Sequence, residues 1–197
     1  MNLYMLALFA HVVGVIGIFA GLGVWIFGTW ALRQAERVEL VRLLTTPIAA
    51  ASKLIVGGIL VLGIAGFYMA ITVWGGQATW IIVATIAFLL LIPVGLLIID
   101  PRMRAITTAA RDLPDGPLSD ALAAHTHDPL LPTGLNLYIA MLLGIVFIMT
   151  NKPATNVAIL AAVVAVAVGL LVSLPLWRPR ARRYTARHTA PSSRLGR

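Results

Sequence analysis

Cysteine is absent from the 197 residues, which excludes disulfides, iron–sulfur clusters and thiol chemistry. Carboxylates are missing from the interior of every long apolar stretch. Proton-coupled carriers place an Asp or Glu inside the membrane, so an ion-coupled transporter is disfavoured. No phosphate-binding loop, dinucleotide fingerprint or Ser–His–acid hydrolase pattern occurs. Nor is there a basic leader: Met1–Phe9 holds no Lys or Arg, and the apolar run continues to Trp30, so the first segment reads as a retained helix and not a cleaved signal.

What is present is apolar. The chain is 60% hydrophobic with a mean hydropathy of +0.95, outside the range of ordinary soluble domains. Five segments, 3–30, 48–74, 79–99, 133–150 and 155–177, are each about long enough to cross a hydrocarbon core of ~30 Å as helices. None alternates polar and apolar residues, which argues against a β-barrel. The fourth is the shortest.

Fourteen of the fifteen Lys and Arg residues fall on one side of these segments. Arg33, Arg37, Arg42 and Lys53 flank the first gap, and Arg102, Arg104 and Arg111 the third. Seven arginines follow Trp177, and only Lys152 lies opposite. Basic residues are retained on the cytoplasmic side. The expected fold is therefore all-α, a multi-pass transmembrane helical bundle of five spans in the cytoplasmic membrane, amino terminus outside and carboxyl terminus inside. Trp30 and Trp177 at one face, with Trp74 and Trp80 at the other, fit the same topology, since tryptophan prefers the headgroup level. Topology explains the net charge of +8, and no nucleic-acid partner is expected. The tail 178–197 is basic and lacks acids. It is expected to be disordered and to lie against anionic lipids.

Local signals refine the layout. Ala31–Leu44 reads as an amphipathic continuation of the first helix, with Thr46 capping a second helix that begins at Pro47. Spans two and three are expected to form a tight hairpin, which brings Lys53 and Asp100 together as an ion pair at the cytoplasmic rim, or leaves Lys53 to snorkel. Asp100-Pro101 is expected to end the third span, in which Pro93 is the candidate kink. Ser119–Thr126 suits a short surface helix, and spans four and five a second hairpin around Asn151-Lys152-Pro153.

His11 is the one histidine inside a predicted span. On a helical wheel it borders a sector holding Gly14, Gly17, Gly21 and Gly28, a helix-packing face. It is either a neutral His bonded to a neighbouring carbonyl or hydroxyl, or a ligand to a bound group such as haem. A haem would take its second axial ligand from Met69, Met141 or Met149, or from His11 of a second subunit. His125-Thr126-His127-Asp128 offers ligand types for a metal without an evident fourth partner.

The run His11-Val12-Val13-Gly14-Val15-Ile16-Gly17-Ile18-Phe19-Ala20-Gly21-Leu22 resembles the first-helix pattern of the HemJ-type and copper-resistance-D-type membrane bundles. The whole-chain layout resembles an uncharacterised bacterial family of predicted integral membrane proteins grouped with them. The resemblance implies a bundle whose first-helix His faces a central pocket, tied in HemJ-type proteins to haem b and porphyrinogen oxidation. Only His11 carries over. The Lys those proteins place soon after a Trp has no counterpart between Trp80 and Ile99. The expected function is thus a non-catalytic bundle binding haem or another hydrophobic ligand beside His11. A membrane scaffold or accessory subunit with no ligand is the alternative, and a porphyrinogen oxidase-like enzyme the third reading; a second copy of the chain or another membrane protein is the expected partner.

Overall fold

A computed structural model describes residues 2–177, so the expectations for the basic tail lie outside the described residues. The chain is an all-α bundle with five helices long and apolar enough to cross a membrane. Helix α1 is Leu3–Leu32 and α2 is Val38–Thr72. The third rod runs through α3 (Thr79–Pro93), a π-helical segment (Val94–Ile99) and α4 (Asp100–Asp112). A short α5 (Asp120–Thr126) precedes α6 (Leu130–Asn151) and α7 (Thr155–Ser173), which ends in a 3-10 turn, Leu174–Trp177.

Two packed units make up the bundle. α1 and α2 form an antiparallel hairpin, and α3, α6 and α7 form the second unit. The fourth span, the shortest in the sequence, is the central helix. Its 22 residues cover about 33 Å at 1.5 Å per residue. Leu131, Leu135, Tyr138, Met141, Leu142, Ile145 and Ile148 form a buried stripe at helical spacing. Small residues allow the close approaches. A Cβ on Gly144 would come 2.8 Å from that of Ala165, and one on Gly169 would come 2.8 Å from Leu137 Cα.

Four local expectations are corrected. First, α1 stops at Leu32, and Arg37 is extended, so the amphipathic stretch belongs to α2 from Val38 onward. Pro47 lies inside α2 and does not begin it. The carbonyl left without the N–H of Pro47 is Leu43 O, and the Thr45 and Thr46 hydroxyls donate to the adjacent Arg42 O (2.9 and 3.4 Å). Second, α2 and α3 do not form a tight hairpin: α2 lies along α1, and it meets the third rod through α4. Third, Asp100-Pro101 does not end the helix. Pro101 carries no N–H for Leu97 O, and the Arg102 guanidinium supplies donors to Ile98 O (2.9 Å) and Leu97 O (3.5 Å), so the rod continues to Asp112. Fourth, Lys53 and Asp100 form no ion pair. Asp100 pairs with Arg104 four residues on (2.8 Å), while Lys53 is exposed on α2.

Other expectations hold. The helix is irregular beside the candidate kink: a π-helical segment, Val94–Ile99, follows directly on Pro93. α5 begins at Ser119, whose side chain accepts from Leu122 N (3.3 Å). The α6–α7 turn closes at Lys152 in a left-handed conformation, φ 48°. Its ammonium lies 4.8 Å from the Trp74 ring, which meets Trp80 edge-on at 5.2 Å. Thr155 donates to Thr79 at the same end (2.8 Å).

Candidate functional site

The α1–α2 seam is built from missing side chains. A Cβ on Gly14 would lie 2.8 Å from Gly58 O and from Leu62 N, and a Cβ on Gly58 would lie 2.8 Å from Gly14 O. Gly21 leaves room for Ile55 and Ala51 O, and Gly28 for Ile48. Gly17 sits on the same face without being close: its nearest neighbour is 3.8 Å away. Of the four predicted packing glycines, three are therefore obligatory contacts.

His11 lies at the same seam, one helical turn before Gly14 and about 12 Å along the helix from Leu3. Its Nδ1 is 3.1 Å from Leu62 O of α2. A carbonyl only accepts, so Nδ1 carries the proton and donates, and Nε2 is the ring's acceptor nitrogen. Gly66 makes this geometry possible, since a Cβ there would come within 3.0 Å of the ring. The half-buried imidazole thus ties α1 to α2 through one hydrogen bond and one glycine notch. Farther along, Trp25 Nε1 donates to Ser52 Oγ (3.2 Å), a second polar tie across the seam. Sequence reasoning missed Gly58 and Gly66. Their spacing of eight on α2 puts them near one face, but nothing within α2 says which face meets α1.

Of the proposed haem partners, Met141 is buried in the α6 stripe, and Met149 packs partly buried against the core. Both are accounted for by packing.

The arginine-bearing end carries the polar network. Arg42 donates to Ala110 O (2.9 Å) and Leu113 O (2.7 Å) and pairs with Asp115 (2.9 Å), capping the carboxyl end of α4. Arg37 pairs with Glu39 (2.7 Å), and the hydrogen bond it donates to that carboxylate holds the guanidinium above its ordinary pKa. Two backbone bonds, Val38 N to Gly116 O (2.9 Å) and Leu118 N to Glu36 O (3.1 Å), strap the α4–α5 loop onto the start of α2. The basic residues of this end are thus part of the fold's wiring as well as its charge.

Of the His125, His127 and Asp128 cluster, His127 and Asp128 are spent on the same wiring. Asp128 pairs with Arg102 (3.0 Å) and accepts from Leu130 N (2.9 Å). His127 Nδ1 lies 2.9 Å from Ala123 O, and His125 is exposed. Among the described residues no three His, Cys, Asp or Glu side chains gather as a metal would need. Asp128 serves as a helix-start and ion-pair residue here.

Between α1, the start of α6 and the 3-10 turn lies a cavity of about 590 Å³ at the arginine-bearing end. Thr29, Trp30, Arg33, Gln34, Leu135 and Asn136 line it, with His127 at its rim. Arg33 Nη1 donates to His127 O (3.3 Å) and Asp128 O (3.4 Å). A second, apolar groove of about 500 Å³ lies between α1 and α2, lined by Phe27, Leu44, Pro47 and Ile48. His11 lines neither. No family model, curated protein or solved structure matches the chain.

Proposed function

We propose that this multi-pass membrane protein is a non-catalytic scaffold or accessory subunit of the cytoplasmic membrane, with its arginine-bearing end inside. The observation that carries this reading is the use made of His11. Its donor nitrogen is engaged by Leu62 O and its ring fills the Gly66 notch, so the residue works as a joint between α1 and α2. Orientation rests on charge. Arg33, Arg37, Arg42, Arg102, Arg104 and Arg111 share one end, while Lys152 with Trp74 and Trp80 marks the other.

The joint is tested by thermal melting of the purified protein. His11→Ala loses the bond and opens a hole, and should cost about 1–2 kcal/mol, in line with interhelical hydrogen bonds in membranes plus lost packing. His11→Gln keeps a donor for Leu62 O and should recover part of the loss. An unchanged melt in both variants would remove the structural role.

A second reading, haem binding by His11, is favoured by the same bond seen differently. Ligating histidines commonly donate their other ring N–H to a backbone carbonyl, which fixes the ring and leaves Nε2 for the metal. A His11-dependent absorption band would select that reading over the first.

A further inference from the structure

Thr29 behaves unlike its counterparts. Hydroxyls within the helices bond back to their own backbone: Ser52 to Ile48 O, Thr72 to Tyr68 O, Thr107 to Met103 O, Thr133 to Pro129 O and Ser173 to Gly169 O, all between 2.7 and 3.0 Å. Thr29 is 3% exposed, and its Oγ1 has no hydrogen-bond partner among the described residues. A buried hydroxyl without a partner is costly, and the usual remedy, the carbonyl one turn earlier, is not taken. The same threonine lines the 590 Å³ cavity.

The rest of that cavity has a definite chemical character. Arg33, Gln34 and Asn136 contribute polar groups, and among the described residues no carboxylate side chain lines it. Asn136 Nδ2 donates to Ser173 Oγ (3.1 Å), which fixes the amide in place. Ile26 and Leu176 extend the wall with apolar surface. Trp30 and the neighbouring Trp177, whose Nε1 donates to Thr133 Oγ1 (3.2 Å), belong to the residue type that settles at headgroup level. A cationic and amide-lined cavity joined to apolar wall at that depth suits an anionic headgroup whose acyl chains remain in the bilayer.

We propose that this cavity is a specific site for one anionic phospholipid of the arginine-side leaflet. The lipid phosphate lies in the field of the Arg33 guanidinium and accepts from the Thr29 hydroxyl, which turns about χ1 to meet it, and the chains leave along Ile26. Threonine in a helix uses two χ1 wells, so the turn requires no backbone change. Site and ligand chemistry are independent of the role assigned to His11.

Native mass spectrometry of the full chain in detergent tests this, with phosphatidylglycerol, phosphatidylcholine and inorganic phosphate as probes. One phosphatidylglycerol should be retained in clear preference to phosphatidylcholine, and inorganic phosphate should not displace it. Thr29→Val removes the donor at nearly constant volume. It should weaken retention of that lipid about tenfold, the effect of one hydrogen bond to a charged group, while the lipid-free melt stays unchanged or rises. Thr29→Ser should restore retention. Ile26→Trp, at a partly exposed position, should weaken retention by narrowing the cavity. Equal retention of the two lipids, displacement by inorganic phosphate, or undiminished retention in both Thr29→Val and Ile26→Trp would each overturn the assignment.

Discussion

Gly14 and Gly58 approach through their backbones, so neither can accept a methyl group unless the helices part. Gly14→Ala and Gly58→Ala should each destabilise the protein by about 1–3 kcal/mol, the usual cost of overpacking, read as a lowered melting temperature in detergent. Gly17→Ala should be neutral or slightly stabilising, because its nearest neighbour is 3.8 Å away and alanine is the better helix former. A melt lowered as much by Gly17→Ala as by Gly14→Ala would contradict the register of the seam. The wheel put Gly14, Gly17, Gly21, Gly28 and His11 on or beside one face, and that face is the buried one. It could not separate Gly17 from the others, since a wheel gives angle and not the partner's position along the axis. Gly66 was invisible for the same reason: its role exists only against the His11 ring.

Among the elements, the third rod and the loop after it show where local rules gave way. Pro101 was expected to end a helix and Pro47 to begin one, yet both lie inside helical rods. At the first, the neighbouring Arg102 supplies the donors that proline lacks. At the second, Thr45 and Thr46 hydroxyls bond to the backbone beside it. The hairpin expected of spans two and three failed because adjacency in sequence was taken for packing. α2 spends its glycine face on α1, and α3 spends Ala84 and Ala87 on the second unit. Arg42 makes the most side-chain bonds to the arginine-bearing loop, and Glu39 adds one by accepting from Gly116 N (3.3 Å). Arg42→Met removes two carbonyl bonds and an ion pair. Limited proteolysis should then cut the 113–118 segment several-fold faster, reflecting a loss of about 1–3 kcal/mol. Cleavage at the wild-type rate would mean that the backbone strap, Val38 to Gly116 and Leu118 to Glu36, is sufficient together with the bond from Gly116 N to Glu39.

For the whole molecule, the number of spans and the collection of arginines at one end were legible from hydropathy and charge, because both are sums over many residues. The pairing of helices was not, because it depends on a few small residues meeting across the seam. Sidedness is open to a clean labelling test, since the chain has no native cysteine. Gln77→Cys, in the exposed turn beside the tryptophans, should react with an impermeant maleimide added outside intact cells. Asp112→Cys, at the end of α4, should react only after lysis. The reverse pattern would invert the topology and move the Thr29 cavity to the outer leaflet.

The central claim is that His11 is a joint and not a ligand. Its most direct test is the reduced-minus-oxidised visible spectrum of the detergent-purified protein, before and after haem is offered, beside His11→Ala. The account predicts no haem band that depends on His11. A band present in the wild type and lost in a folded His11→Ala variant would contradict it, and would make His11 Nε2 an axial ligand.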